Sequence, residues 1–321
     1  MSGRHHGKLI VQAIITVGLL GWLAGRLNWQ SLSQTLITAD PAWFLLASGL
    51  YLLSLAVAAL RWRSIMRSLE HPIALRELLA LNLVGAFFNQ VLPGSLSGDT
   101  ARAFYSGRQA GSLTLATAAV LGDRLLGMGA LVALVLTGYV VLGREVAMIS
   151  HLGTVLAVIA LGYFGGLAVL LNVPVDRALS GRLRAAGEKV LQARIALRAV
   201  FRRGPDLLRV AALSLVVQVL FIAVFWSVSR SLDLHLDQTA IWVVWPVVSL
   251  IAVIPISLAG WGVREGLMAF YLSQLGVDLQ RAVVLSVLVG LAVLVASLPG
   301  GLVWLWMGSR RRAAIKTGVA D

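Results

Sequence analysis

The chain has 321 residues, of which 59% are hydrophobic and 13% charged, with no cysteine and a formal net charge of +13. This composition excludes an ordinary soluble domain, and the missing cysteines exclude disulfides, thiolate metal sites and cysteine nucleophiles. Apolar runs of spanning length recur, so we expect an all-α polytopic membrane protein. The basic residues lie mostly between these runs, which indicates topology signals and anionic-lipid contacts instead of nucleic-acid binding.

Six apolar segments predict full membrane spans. They cover residues 9–27, 41–60, 112–142, 150–172, 207–230 and 280–307. No small-residue cleavage site follows the first segment, so we interpret it as an uncleaved span. Lysine and arginine concentrate in the connections 1–8, 61–77, 177–203 and 310–316. Because basic loops stay on the cytoplasmic side, we expect both termini to be cytoplasmic in a bacterial plasma (inner) membrane.

Two further apolar segments, 76–111 and 239–278, do not fit as simple spans. The charge balance of the connections requires each segment to begin and end on the same side of the membrane. We therefore predict two re-entrant helical hairpins with Pro/Gly turns at membrane depth, which is tolerated only inside protein or beside a wet cavity. The alternative is two kinked full spans with an unusual distribution of loop charge.

The two unusual segments contain an internal repeat. VLPGSLSGDTAR at 91–102 aligns without gaps with VIPISLAGWGVR at 253–264, and six of the twelve positions are identical. Three predicted spans separate the copies, so the copies have opposite orientations. We therefore predict one transmembrane domain over 1–321, with inverted repeats at about 1–142 and 150–308. This plan is typical of secondary transporters, whose sites lie between the repeats.

The predicted hairpins carry chemistry suited to an anion. Their structural turns would contain Pro93, Gly94 and Pro255. Ser97 or Asp99 is a natural N-cap for the returning arm, and helix N-termini favour anions. Arg102, about one turn further on, adds a planar donor suited to phosphate, and Arg264 does the same in the second copy. The alternative is that these charges form structural salt bridges, such as one between Asp99 and Arg124.

Other polar residues in apolar surroundings have two interpretations each. Asp123 and Arg124 lie well inside the 112–142 run, which indicates an interior or cavity, unless this helix starts late and the pair marks the membrane interface. Asn89 either caps the end of the first arm or contacts a head group. The basic segment 177–205 predicts an amphipathic helix on the cytoplasmic leaflet, or else a solvated linker. Tryptophans near span ends, Trp62 among them, indicate interface anchors.

The motifs resemble those of a known family. N-x-x-L-P-G-x-x-x-G-D-x-x-R runs from Asn89 to Arg102, P-x-S-x-x-G-x-G-x-R-E-G runs from Pro255 to Gly266, and an acid–Arg pair follows the first motif. Together they resemble the lysylphosphatidylglycerol synthase transmembrane domain family, over nearly the whole chain. In two-domain members this part resembles a flippase for aminoacylated phosphatidylglycerol. Since the chain stops at Asp321, we expect a stand-alone member without the cytosolic aminoacyltransferase domain.

The resemblance and the hairpin chemistry together give one candidate binding site. Its residues are Asn89, Ser95, Gly98, Asp99, Arg102, Asp123, Arg124, Gly260, Gly262, Arg264 and Glu265. We predict a lipid translocase, or flippase, for a phosphate-bearing or isoprenoid-type lipid, with membrane lipids as its partners. The alternative is a non-transporting scaffold for a lipid-modifying enzyme or glycosyltransferase. The chain lacks nucleotide-binding and hydrolase motifs, so we expect no enzymatic activity, no cofactor and no metal.

Overall fold

The computed structural model describes residues 37–92, 97–143, 149–173, 184–254 and 260–316, with only scattered positions before residue 37. These ranges consist of helices joined by short turns and contain no strand. The helices are α1 Pro41–Ser68, α2 Leu75–Val91, α3 Ser97–Gln109, α4 Leu113–Val141, α5 Leu152–Asn172, α6 Arg184–Arg202, α7 Gly204–Ser231, the π-helical turn Ala240–Val244, α8 Trp245–Ala252, α9 Val263–Gln274 and α10 Leu279–Lys316.

Five helices in the described ranges are long and apolar enough to cross a membrane. They are α1, α4, α5, α7 and the Leu279–Ser309 part of α10. These helices coincide with the predicted apolar segments from 41–60 onward, whereas the predicted span 9–27 lies almost entirely outside the described residues. The protein is therefore a multi-pass helical membrane protein.

Helix α1 is longer than the sequence pattern predicted. It begins at Pro41, after Asp40 accepts a 2.8 Å hydrogen bond from Ala42 N, and it continues to Ser68. The prediction ended this span at residue 60 and assigned 61–77 to a basic connection, which is wrong for its first eight residues. No glycine or proline follows Gly49 until Pro72, so nothing in the sequence stops the helix at the first arginine.

The two unusual segments form interrupted helix pairs. The break between α2 and α3 contains residues 93–96, and the break between α8 and α9 contains residues 255–259; both lie outside the described residues. The predicted turn residues Pro93, Gly94 and Pro255, and the candidate Ser95, fall there. On the second break's far side, Gly260 and Gly262 have φ of 80° and 85°, a left-handed conformation that glycine adopts without a Cβ penalty.

The two halves of the chain make equivalent contacts. Helix α3 packs on α4 as α9 packs on α10, and α2 packs on α10 as α8 packs on α4. Likewise α1 contacts α10 as α7 contacts α4, and α1 and α7 pack closely on each other. Each pair thus packs its first arm on the last helix of the other half and its second arm on the last helix of its own half.

Helix α6 forms within the basic segment 177–205. Its packed side buries Ala196, Leu197 and Val200 completely against the spans, and α4 receives most of this contact. The guanidinium groups of Arg194 and Arg198 donate to the Leu171 carbonyl oxygen near the end of α5, at 3.4 and 2.7 Å. The predicted helix is therefore present, and its most buried face lies against protein; its place on the cytoplasmic leaflet stays a prediction.

Candidate functional site

Arg102 lies one turn into α3 and is enclosed by charged and aromatic groups. Its Nη2 donates to Asp123 Oδ2 at 3.0 Å, and its Nη1 donates to Asp99 Oδ1 at 3.4 Å. The guanidinium carbon lies 4.2 Å from the centre of the Trp62 ring, a cation–π geometry. Both terminal nitrogens and the planar face of Arg102 therefore have partners, and the residue is 9% exposed.

The contacts of Arg102 extend into a chain of alternating charges. Arg61 Nε donates to Asp123 Oδ1 at 2.7 Å, and Arg124 Nε donates to Asp99 Oδ2. The order is thus Arg61, Asp123, Arg102, Asp99 and Arg124, which we call the ion-pair chain. It ties α1, α3 and α4 together. It contains the Asp99–Arg124 salt bridge that the sequence left as an alternative, and Asp123 is buried at 2% exposure, as an interior position requires.

A second and smaller charged group surrounds Arg264 at the start of α9. Its Nη2 donates to Glu265 Oε1 at 2.7 Å, and its Nε donates to Ser286 Oγ on α10 at 3.1 Å. Glu265 Oε2 accepts from Gly262 N at 2.7 Å, which caps the first turn of α9. The Arg264 guanidinium lies 5.0 Å from the Trp261 ring centre. Both helix pairs thus hold an arginine beside a tryptophan and a carboxylate.

Glycines on neighbouring helices make room for the buried arginines. A Cβ at Gly85 would lie 2.9 Å from the Arg102 side chain, and one at Gly290 would lie 2.5 Å from Arg264 Nη2. Both distances are shorter than ordinary van der Waals contact, so any larger residue would displace the Arg102 methylene groups or the Arg264 guanidinium. The glycines on α2 and α10 therefore leave the room that the side chains of Arg102 and Arg264 occupy.

A cavity of about 450 Å³ lies between the two helix pairs, within the range of small-molecule sites. We call it the charged cavity. Its charged and polar lining residues are Tyr51, Arg61, Asn89, Gln90, Asp99, Arg102, Asp123, Arg124, Gln218, Ser249 and Arg264. Arg102 and Arg264 thus face one space although they come from opposite halves of the chain. Four arginines and two aspartates line the cavity, and Glu265 pairs with Arg264 just outside it. The formal charge of these seven groups together is therefore +1.

The remaining predicted site residues lie beside this cavity with backbone roles. Asn89 Oδ1 accepts from Gly98 N at 2.9 Å and so joins the two arms of the first pair, while Asn89 also lines the cavity. Gly260 and Gly262 supply the left-handed backbone before α9. Glu265 is fully buried, with both oxygens hydrogen-bonded to protein groups, and it does not line the cavity.

Sequence reasoning missed the contribution of α1. Arg61 was assigned to a basic connection and Trp62 to the membrane interface, but both are buried, with Trp62 at 0% exposure. Arg61 also bridges to Ser214 on α7 at 3.4 Å. The signal was the absence of a helix breaker before Pro72, which leaves these residues on the same helix as the apolar run.

The fold and the cavity define a polytopic helical membrane protein with a buried charged site between two helix pairs. The family model described as "Lysylphosphatidylglycerol synthase TM region" matches residues 9–301, and the chain belongs to this family. A similar protein is a "UPF0104 membrane protein" of Methanothermobacter thermautotrophicus, 23% identical over 301 residues, covering 86% of this chain and 87% of the relative. No solved structure matches the chain.

Proposed function

We propose that the protein is a lipid translocase that moves a phosphate-bearing or isoprenoid-type lipid across the membrane, with the lipid head group in the charged cavity. The observation that carries this proposal is the shared lining: Arg102 and Arg264, from the two halves of the chain, face one cavity of about 450 Å³. Arginines aimed into a space of that size suit a phosphate group, since the guanidinium fork matches its oxygens.

The proposal includes two re-entrant hairpins. As straight helices, α2 is about 25 Å long and α9 about 18 Å, both short of the roughly 30 Å hydrocarbon core. If each pair enters and leaves on one side, the pairs approach the centre from opposite sides, as inverted repeats of transporters do. The exchange of equivalent contacts between the halves supports this arrangement. The charged cavity would then face each side of the membrane in turn.

Cysteine labelling tests the hairpins directly, because the natural chain has no cysteine. Glu70→Cys and Gln109→Cys flank the first pair, and Asp233→Cys and Ser273→Cys flank the second; all four positions are exposed. Re-entry predicts that the first two react with a membrane-impermeant maleimide only in permeabilised cells. It also predicts that the last two react in intact spheroplasts. Opposite sides for Glu70 and Gln109 would show that the first pair is a kinked span.

The ion-pair chain determines how an anion would bind. Arg102 has both Nη atoms on carboxylates, so an incoming phosphate would have to compete with Asp99 or Asp123. Arg124 is the most exposed of the four arginines, with 27% of its side chain accessible, compared with 15% for Arg264. We therefore place first contact at Arg124 and Arg264. The excess of one positive charge in the cavity suits a head group that carries one negative charge.

Reconstitution with a fluorescent phospholipid tests transport. In vesicles of the wild-type protein, dithionite should bleach probe from both leaflets, whereas protein-free vesicles retain the inner half. Arg264→Gln and Arg124→Gln should slow the loss of the inner pool at least about ten-fold, the effect of losing one good charged hydrogen bond. The exposed Arg281→Gln at the start of α10 is the matched control. Scrambling that is unchanged in both cavity variants would exclude the site.

A scaffold for a lipid-modifying enzyme or glycosyltransferase is the second candidate. The observation that favours it is the outer side of α6, where Leu191 and Phe201 are each 42% exposed beside the basic Arg198 and Arg202. Photo-crosslinkers placed at positions 191 and 201 in cells would separate the two functions. A discrete protein adduct supports the scaffold, whereas adducts with lipid alone support membrane contact by a transporter.

A further inference from the structure

A second cavity, separate from the ion-pair chain, lies between α4, α5 and α8. It has a volume of about 610 Å³ and is open along α5, where Val158 and Gly162 are exposed. Its lining is apolar apart from the hydroxyl group of Tyr163, which already donates to the Leu125 carbonyl oxygen at 2.9 Å. We call this space the apolar groove. Nothing in its described lining offers a ligand a charge.

The apolar groove and the charged cavity are neighbours. Met128 on α4 lines both spaces. The last turn of α8 and the two residues after it stand between them, with Ser249 and Val253 on the charged side and Ile251 and Ile254 on the apolar side. A ligand that passes Met128 therefore has a charged environment at one end and a hydrocarbon environment at the other.

We infer that the apolar groove binds a hydrocarbon chain of the same lipid whose head group occupies the charged cavity. This inference rests on the proposed function for the head-group position. The groove follows residues 158–170 of α5, about 18 Å of helix, which compares with about 15 Å for the hydrocarbon half of a bilayer. Its length suits one chain of one leaflet. The ligand class is thus a single-headed anionic lipid with at least one long chain, not a soluble phosphate compound.

Two glycines keep the groove open on the α5 side. Gly162 and Gly166 are one turn apart, both line the groove, and a Cβ at either would meet nothing within 4 Å. A leucine at either position would therefore fill groove space without clashing near its Cβ. Gly165 is next to Gly166, is equally exposed and has the same free surroundings, but it does not line the groove. It provides a matched control on the same helix.

Binding measurements in detergent test the inference without any transport step. Native mass spectrometry would compare dioleoyl phosphatidylglycerol with glycerophosphoglycerol, its chain-free head group, on full-length protein. We expect the lipid to bind wild type at least about ten-fold more tightly than the head group, because each buried methylene favours binding. Gly166→Leu should remove most of that difference and leave head-group binding unchanged. Gly162→Leu should do the same, and Gly165→Leu should match wild type.

Two results would overturn the inference. One is a wild-type protein that binds the lipid no more tightly than its head group. The other is an unchanged lipid affinity in folded Gly166→Leu and Gly162→Leu proteins, with folding checked by thermal unfolding. A failure of the proposed function can be told apart from a failure of this inference. If reconstituted wild type does not scramble lipid but Gly166→Leu still weakens binding, the groove remains a chain site in a protein that does not transport.

Discussion

Asp123→Asn is the most informative single substitution in the ion-pair chain. Asp123 is 2% exposed and accepts hydrogen bonds from both Arg61 and Arg102. Replacing its carboxylate by an amide of the same shape keeps the packing but removes one of the two negative charges among three arginines. The formal charge of the ion-pair chain then rises from +1 to +2 in a buried place, where an uncompensated charge is costly.

The loss of stability in Asp123→Asn follows from this rise in the formal charge of the ion-pair chain. Breaking one partner of a buried ion pair costs about 3–5 kcal/mol, and the amide oxygen keeps one acceptor, so the low end applies. For 321 residues at about 2.1 cal/mol/K of unfolding entropy per residue, each kcal/mol shifts Tm by about 1.5 °C, so we expect Tm to fall by about 4–5 °C. Arg61→Met added to Asp123→Asn removes the surplus charge, and it should recover part of this loss.

Thermal unfolding of detergent-purified protein, followed by tryptophan fluorescence, measures both effects. Asp233→Asn is the matched control, since its side chain is 95% exposed and its φ of 52° is one that asparagine also tolerates. This control should leave Tm unchanged. An Asp123→Asn protein within 2 °C of wild type, or a double variant less stable than Asp123→Asn, would refute the view that charge balance around Asp123 stabilises the fold.

Two further predictions concern close helix contacts. Gly98→Ala would place a Cβ in the Gly85 carbonyl oxygen and force α3 away from α2, so Tm should fall sharply, whereas Gly266→Ala in open space on α9 should leave it equal or higher. Gly122→Leu would push α6 off α4, because even a Cβ at Gly122 lies 2.8 Å from an α6 side chain. Ala193→Cys, 6% exposed on α6, should therefore resist maleimide alone and react when Gly122→Leu is added; equal reactivity would contradict this contact.

Most of the helical architecture follows from the sequence because its signals are local. The apolar segments from 41–60 onward coincide with long apolar helices, and α2 and α8 end at Val91 and Ala252, shortly before the prolines at which the sequence predicts turns. Pairing of the two motifs at an offset of 162 residues also singled out Arg102 and Arg264 together, and both line the charged cavity. These features need only composition, spacing and internal comparison.

The partners within the site could not be predicted in the same way. Arg61 and Asp123 are 62 residues apart, and only helix packing brings them within 2.7 Å. An arginine after an apolar run is equally consistent with a loop charge that sets topology, and loop charge is the commoner pattern. Glu265 is the opposite case, a predicted binding residue whose side chain is used within the protein. The sequence placed it among the binding residues, but its two oxygens bind Gly262, Arg264 and Ser286.

The ion-pair chain suggests how head-group binding and movement are linked. Sequence reasoning weighed anion binding and structural salt bridges as two roles of these charges that do not exclude each other, and both roles use the same donors. Arg102 holds Asp99 of its own helix and Asp123 of α4, so a phosphate that displaces Asp123 from Arg102 also loosens α3 from α4. The phosphate oxygens of a head group would therefore take the place of the carboxylate oxygens that hold the first helix pair against α4. The binding energy would be realised as a change in the position of that pair, which an alternating-access transporter requires.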